Sequence, residues 1–129
     1  MKSHKLTASD RARIRHSLIE RRSALRAEVK VQMEGSGDER VVGLRHRLDE
    51  TDDWAVADGL AELDIAGLNH ALAELAEVDA AIARFDVDAY GECSDCGEAI
   101  APARLHAYPT ATRCIECQQV HETRIGGRS

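Results

Sequence analysis

Four cysteines are the residues of this 129-residue chain best placed to do chemistry, and they fall in two C-x-x-C pairs. Cys93 and Cys96 form the first pair; after seventeen intervening residues, Cys114 and Cys117 form the second. Each pair presents two sulfurs from one tight turn, and two such turns supply the four thiolates of a tetrahedral Zn²⁺ site. Gly97, directly after Cys96, is free to take the positive φ that such a turn needs. Four protein ligands leave no open position, so the expected metal is one structural Zn²⁺ that holds the fold and catalyses nothing. Two disulfides, a redox C-x-x-C and an iron–sulfur cluster are the competing uses. The sequence shows no secretory signal and no βαβ pattern around the motif, and iron–sulfur clusters favour other spacings.

The elements that must carry this module are read from the rest of the chain. Aromatics are only 3% of it, namely Trp54, Phe85, Tyr90 and Tyr108, so a thick globular core is not expected. Alanine, leucine, arginine and acidic residues dominate, which suits long helices. Residues 1–6 read as frayed. Thr7 with Asp10 three residues on reads as a helix start, and Ile14, Leu18, Leu25 and Val29 recur at helical spacing. This predicts a first helix over about 8–34, stopped by Gly35-Ser36-Gly37-Asp38. Arg11, Arg15, Arg22 and Arg26 share another face and are expected to pair with Glu residues of the second helix rather than to touch a partner. Residues 39–48 fit a short helix or an ordered loop, Gly43 weakening the former.

The second helix is predicted to start close to the turn at 48–55 and to run to about Phe85. Its stripe is Ile65, Leu68, Leu72, Leu75, Val78, Ile82 and Phe85, near the seam spacing of a coiled coil, with Glu62, Glu74, Glu77 and Asp86 opposite. Thirty-odd residues at ~1.5 Å each give a rod of roughly 45–50 Å. Two striped helices joined by a turn imply an antiparallel hairpin. After Cys117 a short helix over 118–124 should end at Gly126-Gly127. The predicted fold is therefore mainly α: residues 1–86 form a long antiparallel helical hairpin, coiled-coil-like, with an acidic tip near 49–55. Residues 87–129 form a four-cysteine zinc-finger module with a short C-terminal helix.

Charge is distributed unevenly. Residues 1–47 carry twelve Lys/Arg against six Asp/Glu; residues 48–98 carry fifteen Asp/Glu against Arg84 alone; residues 99–129 carry four Arg against two Glu. Phosphate backbone would be repelled by so acidic a middle, so direct nucleic-acid binding is not expected. No run reaches the length of a membrane span, and a cytoplasmic chain is expected. No nucleophile–base pair, phosphate-cradling loop or open metal site appears, so an enzyme is not expected.

One string of residues is familiar. Tyr90-Gly91-x-Cys93-x-x-Cys96-Gly97-x-x-Ile100, then Arg104-Leu105-x-Ala107-x-Pro109, then Cys114-x-x-Cys117-Gln118, resembles the DksA/TraR family of bacterial zinc-finger transcription regulators. The resemblance is densest over 86–120. It implies a partner, RNA polymerase, and a mode of action in which a helical hairpin enters the secondary channel through which nucleotides reach the active centre. Acidic residues at the tip then act near the catalytic machinery and destabilise certain promoter complexes, with no covalent chemistry. The family's tip pattern, Asp-x-x-Asp-x-Ala, falls on Glu50, Asp53 and Ala55; the first acid is replaced by a longer one, with Asp49 and Asp52 alongside. Trp54, inside this stretch, is either a partner-contacting anchor or packing across the hairpin turn.

Basic residues that some members contribute to a guanosine tetraphosphate site fall here on Glu77, Tyr108 and Gln118, none of them basic. Dependence on that nucleotide is therefore not expected. Arg104 is expected to bridge the zinc loop to a carboxylate or carbonyl, or to touch polymerase. His106 and His121 are not needed as ligands, and His4, His16, His46 and His70 follow no pattern. A monomer is expected. The alternatives are a DNA-binding zinc protein and a redox- or zinc-responsive switch built on the four cysteines.

Overall fold

A computed structural model describes residues 6–56, 59, 60, 65 and 67–126. Among the described residues the fold is carried by α1 (Ala8–Glu34), α2 (Glu39–Thr51), α3 (Asn69–Asp86), α4 (Pro102–Ala107) and α5 (Ile115–Gly126), with a 3-10 turn at Trp54–Val56 and helical backbone also at residues 59 and 60. The chain is mainly α, with its four cysteines in a C-terminal module that ends in a short helix. Among the described residues the sole strand-like pairing is an antiparallel bridge between Glu92 and Ala99. No helix among them is long and apolar enough to cross a membrane. The expectations for residues 1–5, Glu62 and Gly127 lie outside the described residues.

The chain divides into two compact units, Met1–Ile19 with Ala80–Ser129, and Glu20–Asp79. In the first, Ile14 and Leu18 of α1 are buried with Ala81 and Ile82 of α3 and with Tyr90, Ile100, Leu105 and Ala111 of the module. α1 starts on a reciprocal cap: the Asp10 N–H donates to Thr7 Oγ1 at 3.0 Å, and the Thr7 N–H donates to Asp10 Oδ2 at 3.3 Å. Two of the helix's orphan donors are thereby satisfied. Asp10 also meets His106 Nε2 at 3.1 Å. That hydrogen bond, more than the Thr7 contacts, lowers the Asp10 pKa. Arg11 lies 5.3 Å from the Phe85 ring centroid and 3.5 Å from Asp88.

In the second unit Leu25, Val29 and Met33 of α1 are buried with Val41 and Leu48 of α2, with Leu60 and Leu68, and with Ala71, Leu72, Leu75 and Val78 of α3. Arg21 makes a two-pronged pair with Glu74, both N···O distances 2.7 Å, and Arg22 reaches Asp79 at 3.9 Å. These exposed pairs contribute about 0–1 kcal/mol each, so the apolar stripes carry the stability. Arg21 lies outside the arginine face read from the sequence, yet it makes the best-aligned of the pairs.

The second long helix is shorter than the sequence predicts. α2 runs on to Thr51 and closes at Asp52, whose N–H donates to Leu48 O at 2.7 Å and whose φ is 51°. α3 begins only at Asn69, after Gly67 at φ 89°. A left-handed residue cannot continue an α-helix, so the rod ends there. Its 18 residues measure about 27 Å rather than 45–50 Å.

α2 itself is set by its cap. Asp38 Oδ1 accepts the Arg40 N–H at 2.9 Å, while the Arg40 guanidinium grips both carboxylate oxygens at 3.0 and 2.6 Å. The Arg40 side chain, then its N–H, hold the Asp38 pKa down to about 2. A depressed carboxylate stabilises the fold above its ordinary pKa and loses that contribution as pH falls through its folded value. Helicity over 39–51 should therefore hold above the usual carboxylate range, near pH 4, and decline toward pH 2. Residue-resolved NMR should show this decline, with Asp38→Ala flat across the same window; identical profiles for the two proteins would contradict the cap's role.

Candidate metal centre and acidic segment

Two knuckles bring the cysteines together. In the first, Cys93 N–H donates to Glu98 O at 2.8 Å, Gly97 N–H to Cys93 O at 3.0 Å, and Ile100 N–H to Gly91 O at 2.7 Å. Gly97 has φ 78°, the left-handed conformation a Cβ would strain. In the second, Cys114 heads α5: its carbonyl accepts the Gln118 N–H at 2.9 Å and its Sγ accepts the Cys117 N–H at 3.5 Å. The Ser94 N–H donates to Thr112 O at 2.8 Å and Arg113 pairs with Asp95 at 2.9 Å, so the knuckles are stitched to each other beside the sulfurs.

All four Sγ atoms lie within 4.8 Å of one another, with Cys96 and Cys114 at 3.9 Å. Ligands of a tetrahedral four-thiolate zinc centre with ~2.3 Å bonds are separated by about 3.8 Å, so the group fits a zinc ion. The donor chemistry agrees. Burial opposes ionisation of Cys93, but backbone N–H groups at Cys114, Cys96 and Asp95 outweigh it and bring its pKa down to about 6. Thiol contacts with Cys114 and then Cys93 push Cys117 up instead. Four crowded sulfurs resist full ionisation together, and a divalent cation removes that conflict.

The module is held to its surroundings by groups away from the sulfurs. Tyr90 stacks on Phe85 at a centroid distance of 4.0 Å, and its hydroxyl donates to Pro109 O at 2.6 Å. Burial pushes the Tyr90 pKa up to about 12. Arg104 lies over the Tyr108 ring at 5.5 Å, and its Nε donates to Arg113 O at 3.0 Å, fixing the stretch that leads into Cys114. Replacing Arg104 with alanine should cost about 1–3 kcal/mol and speed zinc loss to a chelator. An unchanged release rate would exclude the bridge as a brace.

The acidic residues lie in the other unit. Asp49, Glu50, Asp52, Asp53 and Ala55 are exposed, and Trp54 is half-buried. Thr51 Oγ1 donates to Arg47 O at 2.8 Å and accepts the Asp53 N–H at 3.2 Å, while Asp53 Oδ1 accepts the Ala55 N–H at 3.0 Å. Asp53 thus caps the 3-10 turn while its side chain faces solvent. Sequence reading missed the left-handed Asp52, for which the tolerance of aspartate for that conformation was the available signal. The cations that approach Trp54 from α1, Arg26 and Lys30, carried no signal in the sequence.

Residues 89–122 match the family model described as the prokaryotic dksA/traR C4-type zinc finger. The chain is 44% identical over 50 residues to the RNA polymerase-binding transcription factor DksA of Caulobacter vibrioides, covering 39% of this chain and 35% of that one. It is 42% identical over 48 residues to the Haemophilus influenzae protein of the same name, covering 37% and 33%. The chain thus spans about a third of the length of these named relatives. An uncharacterized Haemophilus influenzae protein is 41% identical over 68 residues, 50% of this chain and 88% of that one. The solved structure of transcription factor DksA2 from Pseudomonas aeruginosa matches with a TM-score of 0.59 at 27% identity, over 91% of this chain and 86% of that one. The four-sulfur cluster and the C4-type finger together identify a structural zinc site.

Proposed function

Because the chain belongs to the DksA/TraR C4-type zinc-finger family, we propose that it regulates transcription by binding RNA polymerase and placing its acidic segment in the secondary channel. The observation that carries this reading is the likeness to DksA2 over 91% of the chain at 27% identity. Proteins named RNA polymerase-binding transcription factors support it through the zinc finger. In this reading Asp53 is the principal acid, Glu50 adds charge one turn earlier, and Ala55 keeps the turn slim. Exposed carboxylates suit a channel that admits nucleotides with Mg²⁺, because they act on metal and on basic groups without forming bonds to substrate. The zinc holds the fold and takes no part in that step.

Guanosine tetraphosphate is not proposed as a co-regulator. Glu77 is exposed, Tyr108 lies under Arg104, and the Gln118 amide donates to Glu122 at 2.8 Å. None offers a phosphate the ammonium or guanidinium that it pairs with best.

The test is competition for core RNA polymerase against a labelled secondary-channel binder, with open-complex lifetime measured on the same samples. Binding together with a shortened lifetime at a sensitive promoter is expected, with and without guanosine tetraphosphate. Failure to bind would overturn the proposal, and a strong enhancement by the nucleotide would overturn the second part of it.

A further inference from the structure

Trp54, the one tryptophan of the chain, is gripped from α1. The Arg26 guanidinium lies 5.0 Å from the indole centroid and the Lys30 ammonium 5.9 Å. Positions 26 and 30 are one helical turn apart, so both cations reach the indole from one face of α1. Arg26 Nε is buried with no hydrogen-bond partner among the described residues, so the π cloud of the indole offsets its burial. On its polar edge the indole Nε1 donates to Asp52 Oδ1 at 3.2 Å. Asp52 is the left-handed residue that closes α2, and Asp53 is tied by its N–H to Thr51 and by its carboxylate to Ala55. The residues on either side of Trp54 are therefore fixed by the end of α2 and by the 3-10 turn, while Trp54 anchors them to α1.

We propose that Trp54 is a positioning residue: the clamp of Arg26 and Lys30 on its indole fixes the direction in which the Asp53 carboxylate is presented to polymerase. This rests on the functional reading above and names what orients its acting group. An indole already covered by two cations and hydrogen-bonded at its nitrogen is poorly placed to serve as the partner's anchor. Without the clamp the turn and its capped Asp53 would swing as one unit against α1, and an acting carboxylate displaced by about 1 Å loses much of its effect.

The test uses the full-length chain with Trp54→Leu, Trp54→Phe and the double variant Arg26→Gln/Lys30→Gln, each checked for parental helicity and zinc content. Trp54→Leu should bind core polymerase within about threefold of the parent, yet at saturation shorten open-complex lifetime about tenfold less. Trp54→Phe, which keeps a ring for the cations, should recover most of that loss. A purely packing role would instead lower affinity and leave the effect at saturation intact. That outcome, no change in either quantity, or a phenylalanine no better than leucine would overturn the proposal. The free protein gives a separate reading: the double variant should shift indole emission to the red and raise its quenching by acrylamide. Unchanged emission and quenching would overturn the clamp whatever polymerase does, whereas a parent that fails to bind polymerase would sink the functional reading alone.

Discussion

Replacing Cys114 with serine is expected to strip the zinc from the chain and to unfold the segment around it. The module has little else to stand on. Its buried side chains are Tyr90, Cys93, Ile100, Leu105 and Ala111, and one antiparallel bridge is its sole sheet-like pairing among the described residues. Burying a large apolar side chain contributes about 1.5–3 kcal/mol, whereas ordering each residue costs about 1–2 kcal/mol in backbone entropy alone. A structural zinc contributes about 10–16 kcal/mol in finger-sized peptides, so the metal decides whether this stretch folds. Losing the Cys114 thiolate removes a zinc ligand together with the sulfur that accepts the Cys117 N–H at the head of α5. Zinc content by metal analysis should fall from one equivalent toward none, and amide signals of 102–126 should collapse toward random-coil shifts. A variant with a full equivalent of zinc and a parental spectrum would contradict the structural role.

Asp53→Asn is expected to separate binding from action. The asparagine side chain keeps an oxygen that can accept the Ala55 N–H, a contact of 3.0 Å in the parent. The 3-10 turn should therefore stay capped, and only the charge is removed. Affinity for core polymerase should stay within about twofold, since one exposed charge is lost while the turn that carries it keeps its cap. The effect on open-complex lifetime should drop about tenfold, equivalent to about 1.4 kcal/mol. Equal effects of parent and variant at saturation would remove Asp53 from its proposed role.

Local signals carried most of the fold. The extent of α1 was legible because a capping box opens it, glycine follows its end, and its apolar residues recur at gaps of four and seven, one and two helical turns. The start of α3 was not. The run of apolar and acidic residues from 54 onward reads as continuous helix, and Gly67, whose left-handed φ precedes α3, looks in sequence like an isolated glycine that a helix tolerates. α4 was missed although Pro102 marks its first turn. Ala71 and Ala81, buried on α3, went unread because alanine fits any face.

The zinc ligands were fully legible, since two C-x-x-C pairs leave few uses for four sulfurs. The braces around them were not. His106 with Asp10, and Arg26 with Trp54, join residues far apart in sequence, and no periodicity encodes a cation set over a ring. The arginine face on α1 illustrates the same limit: helical geometry gives the shared face, while tertiary packing gave the best pair to Arg21.

The most direct measurement of the central claim is a photo-crosslink from position 50, in the exposed last turn of α2 beside the acidic turn, within a complex with core RNA polymerase. Labelling confined to the walls of the secondary channel next to the active centre is the expected result. Labelling of the enzyme's outer surface, with the channel untouched, would contradict it.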